Sequence, residues 1–142
     1  MEFLAILVAV IVGFVATRPP PPYVPPDLSA CKLAHGFVIG DAPPFPGAIE
    51  IYRCSGQTVV TLEQMQPERE IRTHFTPAAG RGEQLMGCRG HDENYDGIVA
   101  LAASAGQPDQ KIRRAWKADV EKWAFVSTPT TGIVCNRGLT VE

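Results

Sequence analysis

Neither sign of charge dominates this chain. Its 142 residues carry 13 Lys and Arg against 15 Asp and Glu, a net charge of −2. Nucleic-acid binding rests on neutralising phosphates with clustered Lys and Arg, so this balance gives no reason to expect a nucleic-acid partner. Also missing are a glycine-rich phosphate loop, a paired-His metal motif and a Ser nucleophile elbow. Those absences argue against a nucleotide hydrolase, a zinc hydrolase of that type and an α/β-hydrolase. No internal repeat is visible, and only one tract is of low complexity. No cofactor is expected, and a non-catalytic protein is favoured over an enzyme.

Charge is also absent from the start. From Phe3 to Ala16 every residue is apolar or Gly, and Met1-Glu2 supplies no Lys or Arg before the run. A cleaved signal peptide wants a basic n-region and small residues before the cut. Here the best cut, after Ala16, has bulky Phe14 at −3, and prolines begin at Pro19. A retained signal-anchor over residues 1–17 is therefore favoured, with Phe3, Leu4, Ile6, Leu7, Val8, Val10, Ile11, Val12, Phe14 and Val15 as its lipid- or partner-facing side chains. At 1.5 Å per residue the run covers roughly 21 Å. A bilayer core asks for about 20 apolar residues, so a partner helix or local thinning must absorb the mismatch. Arg18 follows the run, which alone favours a cytoplasmic domain; the cysteines argue for the opposite side.

Pro19 to Pro22, Pro25 and Pro26 make residues 18–30 a stiff polyproline spacer. Residues 31–142 remain, enough for one domain with one core. All four cysteines, Cys31, Cys54, Cys88 and Cys135, lie in this part. An even, widely spaced set in a small exported domain reads as two disulfides. Of three possible pairings, Cys31–Cys54 and Cys88–Cys135 is favoured, because each closes a loop within one half of the domain. This places the domain on the periplasmic or extracytoplasmic side.

Ala48 to Cys54 alternates and is β-branched, Ser55-Gly56 is a turn signal, and Thr58 to Leu62 is its hairpin partner. Over Ile51-Tyr52-Arg53-Cys54, Gly56 and Val59-Val60 this stretch resembles the opening hairpin of small periplasmic lysozyme inhibitors. The Ser/Arg-bearing loop of those inhibitors is not evident, so no family is assigned. Glu68 to His74 continues the sheet weakly, Pro43-Pro44-Phe45-Pro46 is a rigid surface loop, and Ala78 to Gly82 is a flexible one. Residues 92–105 open with acids and become Ala-rich, which suits a short helix. In 109–126, Ile112, Ala115, Trp116, Val120, Trp123 and Ala124 fall at helical spacing, with Asp109 as N-cap. A hairpin of 111–118 and 123–127 is the alternative. The helical period counts better, and the expected class is α+β.

Three constellations carry possible chemistry. Cys31/His35 with Cys88/His91 makes a four-ligand zinc set arithmetically possible, at no standard finger spacing. Cys88 with His74 or His91 could form a nucleophile–base dyad. Asp92, Asn94, Asp96 and Gly97 match the first, third, fifth and sixth places of a calcium loop, but the twelfth is Ala103 where a Glu is needed. None is preferred over its ordinary reading, and no metal is expected. Arg113, Arg114 and Lys117 around Trp116 form a candidate protein interface, Arg and Trp being the residues that anchor such surfaces; a solvated face over a core Trp is the plainer reading.

The expectation is thus a membrane-tethered accessory or structural subunit of an envelope membrane-protein complex, of respiratory or photosynthetic type among others. Its partners would be the bilayer and integral membrane subunits. A stand-alone exported binding module with a cleaved signal, such as a periplasmic inhibitor, is the alternative.

Overall fold

A computed structural model describes residues 21–90, 97–103 and 111–135. The apolar run 3–16 and most of the acidic stretch 91–97 lie outside these residues. Among the described residues the chain is all-β, not α+β. Nine strands follow one another: β1 (Lys32–Ile39), β2 (Gly47–Cys54), β3 (Gln57–Gln64), β4 (Glu70–Phe75), β5 (Glu83–Gly90), β6 (Ile98–Ala103), β7 (Lys111–Asp119), β8 (Ala124–Thr128) and β9 (Ile133–Cys135). They form two antiparallel sheets, a first in the order β1-β2-β3-β4 and a second in the order β8-β7-β6-β5-β9.

The first sheet follows directly from the period-two pattern. Ile49 pairs with Leu62 and Ile51 with Val60, so the apolar members of β2 and β3 share one face. Their alternates Glu50, Tyr52, Thr61 and Glu63 share the other. The two-residue turn closes at Ser55-Gly56, where Gly56 takes φ 77°, a conformation glycine adopts without a Cβ clash.

The sheets pack face to face. Ile39, Ile49, Ile51, Val60 and Leu62 of the first meet Val99, Leu101, Trp116 and Ala118 of the second in one buried cluster. Ile49, Val60, Leu62, Val99 and Leu101 have no exposed surface. Burying such side chains stabilises by about 1.5–3 kcal/mol each. At the β4/β8 side, Phe75 lies 4.9 Å from Trp116 and 4.8 Å from Phe125, ring centre to ring centre, both tilted. Toward the opposite side, the ring of Phe37 on β1 lies directly over Gly87 on β5. On the far face of the second sheet, Cys88, Ile98, Ala100, Ala115 and Cys135 form a smaller cluster with Met86, Ile112 and Ile133.

Two expected helices are strands. Ile98–Ala103 is β6, and Ile98 to Ala102 are all buried. A strand covered on both faces shows no alternation, so its Ala-rich sequence mimics a helix; cross-strand pairing overrides the propensity of Ala. The stretch 109–126 is the β7–β8 hairpin. Leu101 pairs with Arg114 but Ala102 with Ile112, which leaves Arg113 as an extra residue in a bulge. The bulge adds one residue between Ile112 and Trp116 on the strand, and that shift produces the apparent 3.6-residue spacing. The connecting turn is set by Asp119, whose Oδ1 accepts the N–H groups of Glu121 and Lys122, each at 3.0 Å. Trp123 then takes φ 51°, a conformation rare for a bulky residue, with its ring against the core.

Both disulfides form with the favoured pairing, Cys31–Cys54 and Cys88–Cys135. Each joins residues held opposite one another on neighbouring segments, with Cα atoms 4.1 Å apart. Each also lies within a single sheet. The first sheet is built from residues 32–75 and the second from 83–135, so the chain passes between them once.

Candidate functional site

The outward face of the first sheet carries a ladder of polar side chains rather than scattered surface charges. Strand alternation puts Glu50 and Tyr52 of β2 beside Thr61 and Glu63 of β3. Arg69, just before β4, reaches back over them. Its Nε donates to Glu63 Oε1 and its Nη2 to Glu63 Oε2, both at 3.0 Å, a two-pronged grip. The same Nη2 lies 3.4 Å from Glu50 Oε1. Tyr52 donates its hydroxyl to Glu50 Oε2. The two carboxylates are nearly covered, 16% and 11% exposed, while Arg69 is 58% exposed. Burial pushes the Tyr52 hydroxyl up to about 12, and its bond to Glu50 adds to the effect. The grip of Glu63 raises the Arg69 guanidinium further.

The end of the proline-rich segment rests on the same sheet. Tyr23 shares a hydrogen bond with His74 Nδ1, and their rings are 5.6 Å apart. His74 lies opposite Thr61 on β4, on the outward face. Residues 21–28 form neither helix nor strand, and Cys31 then ties the segment covalently to β2 through Cys54. Val24, further along, is 74% exposed.

The second sheet holds the residues proposed as an interface. Arg113, the bulge residue, donates from Nε to Glu83 Oε2 at 2.8 Å and from Nη2 to the Ala78 carbonyl at 3.1 Å. Glu83 Oε1 also accepts the Gly80 N–H at 2.6 Å. The loop Ala78–Gly82, expected to be flexible, is therefore tied at its base. The Arg113 bond, foremost, holds the Glu83 carboxyl below its ordinary value. Arg114 lies over the Trp116 ring, 4.8 Å from its centre. Trp116 itself is a core residue, 7% exposed, and Lys117 is half-buried on the other face of the strand. The structure thus brings Arg114 and Trp116 together and sends Arg113 to Glu83.

No family model, curated protein or solved structure matches this chain. The chemistry available is what its own residues show. Cys88 is bonded to Cys135, so it offers no thiolate to His74, and Cys31 and Cys88 are withdrawn from any zinc set. Among the described residues no cluster of His, Cys, Asp and Glu is arranged to hold a metal ion, and no helix is long and apolar enough to cross a membrane.

Sequence reasoning missed the Glu50–Tyr52–Glu63–Arg69 ladder. Its signal was present: alternate positions of two strands otherwise rich in Val and Ile carry Glu, Tyr, Thr and Glu. Arg69 could not have been placed, because the loop between β3 and β4 decides where it turns.

Proposed function

We propose that this chain is a non-catalytic accessory subunit of an envelope membrane-protein complex, held to the membrane by residues 1–17 and presenting its β-sandwich to a partner outside the bilayer. The observation that carries this reading is the docking of the proline-rich segment on the first sheet. Tyr23 bonds to His74 and Cys31 to Cys54, so the domain does not swivel freely where the spacer enters. A tether fixed at its domain end sets orientation as well as height, which a positional subunit needs. Two disulfides support an extracytoplasmic site of action, since such bonds persist in oxidising compartments. The charged residues of the outward ladder are engaged with one another, which suits a rigid surface better than an acid–base centre.

The candidate integral-membrane partner would meet apolar side chains at the sheet margins. Leu33 on β1, Val126 on β8 and Val134 on β9 are 55%, 50% and 49% exposed, and outer strands offer unpaired backbone groups for added contacts. The same margins suit the second reading, a free exported binding module released by signal cleavage.

Mass spectrometry of the particle solubilised in mild detergent separates the two. An intact N-terminus with stoichiometric membrane companions supports the tethered subunit. A chain starting near Thr17 and alone supports the free module. Ile11→Arg should release the full chain from membranes or abolish its assembly; unchanged assembly defeats the anchor.

A further inference from the structure

The open end of the first sheet carries two cations that have no ion-pair partner among the described residues. Lys32 on β1 pairs directly with Arg53 on β2, and Arg53 pairs with Thr58 on β3. One row across three strands therefore reads Lys, Arg, Thr, all on the face that also carries Ile51. Directly opposed residues have Cβ atoms about 4.5–5.5 Å apart, and like charges so placed destabilise a sheet. Lys32 and Arg53 are exposed, and among the described residues neither makes an ion pair. The acids closest along the chain are engaged elsewhere. Glu50 points to the outward face and holds Tyr52 and Arg69, and Asp27 accepts the Ser29 N–H at 3.0 Å. The bridge Cys31–Cys54 sits immediately beyond the row and holds the backbones that carry the two cations side by side.

His35 marks the field at this place. It lies opposite Ile51, one pair further in on the same face, and its Nδ1 is buried without a hydrogen-bond partner. Burial first, and then the charge of Arg53, hold its imidazole below the ordinary value. The charge of Arg53 thus acts on a neighbouring side chain.

We infer that the Lys32–Arg53–Thr58 row is a binding site for a phosphate-type dianion. Two adjacent cations match the charge of one such group. The guanidinium supplies a planar fork for two oxygens, the ammonium a point charge for a third, and the hydroxyl a neutral donor. Binding replaces like-charge repulsion across β1 and β2 with attraction to a shared anion. The site is independent of the tether, since it uses only groups of the domain.

The test uses the full chain and inorganic phosphate as the probe, followed through the His35 and Arg53 side-chain resonances. Sodium chloride at matched ionic strength controls for screening. Expected is a saturable shift with phosphate and none with chloride. Arg53→Gln and Lys32→Gln should each weaken binding about tenfold or more, the loss of one charge-assisted contact. Arg81→Gln, in the loop before β5, should bind as the parent does. Backbone spectra and the oxidised Cys31–Cys54 bond verify that each variant is folded, and the lysine variant stands in if the arginine variant is not. A shift that grows linearly with phosphate, that chloride reproduces, or that survives both substitutions overturns the assignment. Vesicles of phosphatidylcholine with and without phosphatidic acid then distinguish the source. Capture by the acidic vesicles in excess of the neutral ones, an excess that Arg53→Gln removes, identifies a lipid headgroup; phosphate binding with equal capture by both vesicles identifies a free phosphate-type ligand.

Discussion

Gly87→Ala tests the sandwich at its closest approach. A Cβ on Gly87 would stand 2.8 Å from Phe37 Cε1 and 3.1 Å from Cζ, where carbon atoms prefer about 3.5–4.0 Å. Phe37 is wedged against the buried cluster, so its ring has little room to retreat. Overpacking of this kind typically costs about 1–3 kcal/mol. The opposing effect is known in sign: replacing Gly by Ala at a tolerant position stabilises by about 0.4–1 kcal/mol through the unfolded chain. The sign of the measured change therefore decides. Urea unfolding should show Gly87→Ala destabilised by about 1–3 kcal/mol, a midpoint lower by about 1 M for a small domain. Phe37→Leu removes the far end of the ring, and in that background Gly87→Ala should be close to neutral or stabilising. Additivity of the two substitutions to within about 0.5 kcal/mol, or a stabilised Gly87→Ala protein, would mean that β1 does not face β5 and would refute the packing described.

The two disulfides should differ in kind. Their sequence separations of 23 and 47 give losses of about 3 kcal/mol for Cys31→Ala/Cys54→Ala and about 4 kcal/mol for Cys88→Ala/Cys135→Ala from chain entropy alone. Cys31 and Cys54 are half-buried whereas Cys88 and Cys135 are buried, so thiol trapping during mild reduction should label the first pair before the second. Tyr52 confers an alkaline limit. Its folded value, about 12, lies above its ordinary one, so its contribution is complete below about pH 10 and is lost as pH rises toward 12. Burial raises Tyr23 as well, so the assay is the difference between the parent and Tyr52→Phe: phenolate absorbance should lose a component titrating at about 12, and a Tyr52 that ionises at its ordinary value contradicts the ladder. Glu83 works in the other direction, held low by Arg113, so its contribution is present above the ordinary carboxylate value and lost as pH falls below it. Arg113→Gln should speed amide hydrogen exchange through Ala78–Glu83 while leaving β2 and β3 unaffected; unchanged exchange there would show that the Arg113 contact does not tie the loop.

The β2–β3 hairpin was legible because every local cue agreed. The apolar period was two, β-branched residues were abundant, and Ser55-Gly56 stood at the turn. The disulfide pairing was legible for a simpler reason: each bridge closes a loop within one sheet, so proximity along the chain was a fair guide to proximity in space. Strand β6 was not legible, because Ile98 to Ala102 are buried on both faces and no alternation remains to be read. The β7–β8 hairpin was hidden by Arg113, whose single-residue bulge shifts the apolar positions toward helical spacing. Arg114 lies over Trp116 because the two stand at i and i+2 on one face of β7, a relation that the helical spacing expected for 109–126 does not provide. The outward ladder depended on Arg69 returning from a loop, which no periodicity encodes.

Each sheet is made from one uninterrupted stretch of chain and is closed by its own disulfide, and only residues 76–82 connect the two. The halves are consequently joined by side-chain packing and a single hinge, with no covalent bond across the interface. A chain so arranged has a low-cost route to exchange: two copies that open at this hinge re-form every contact by lending one sheet to each other. The contacts of Arg113 with Glu83 and with the Ala78 carbonyl hold this connection against the second sheet. The monomer and the intertwined pair would share the same buried surfaces and the same pair of disulfides.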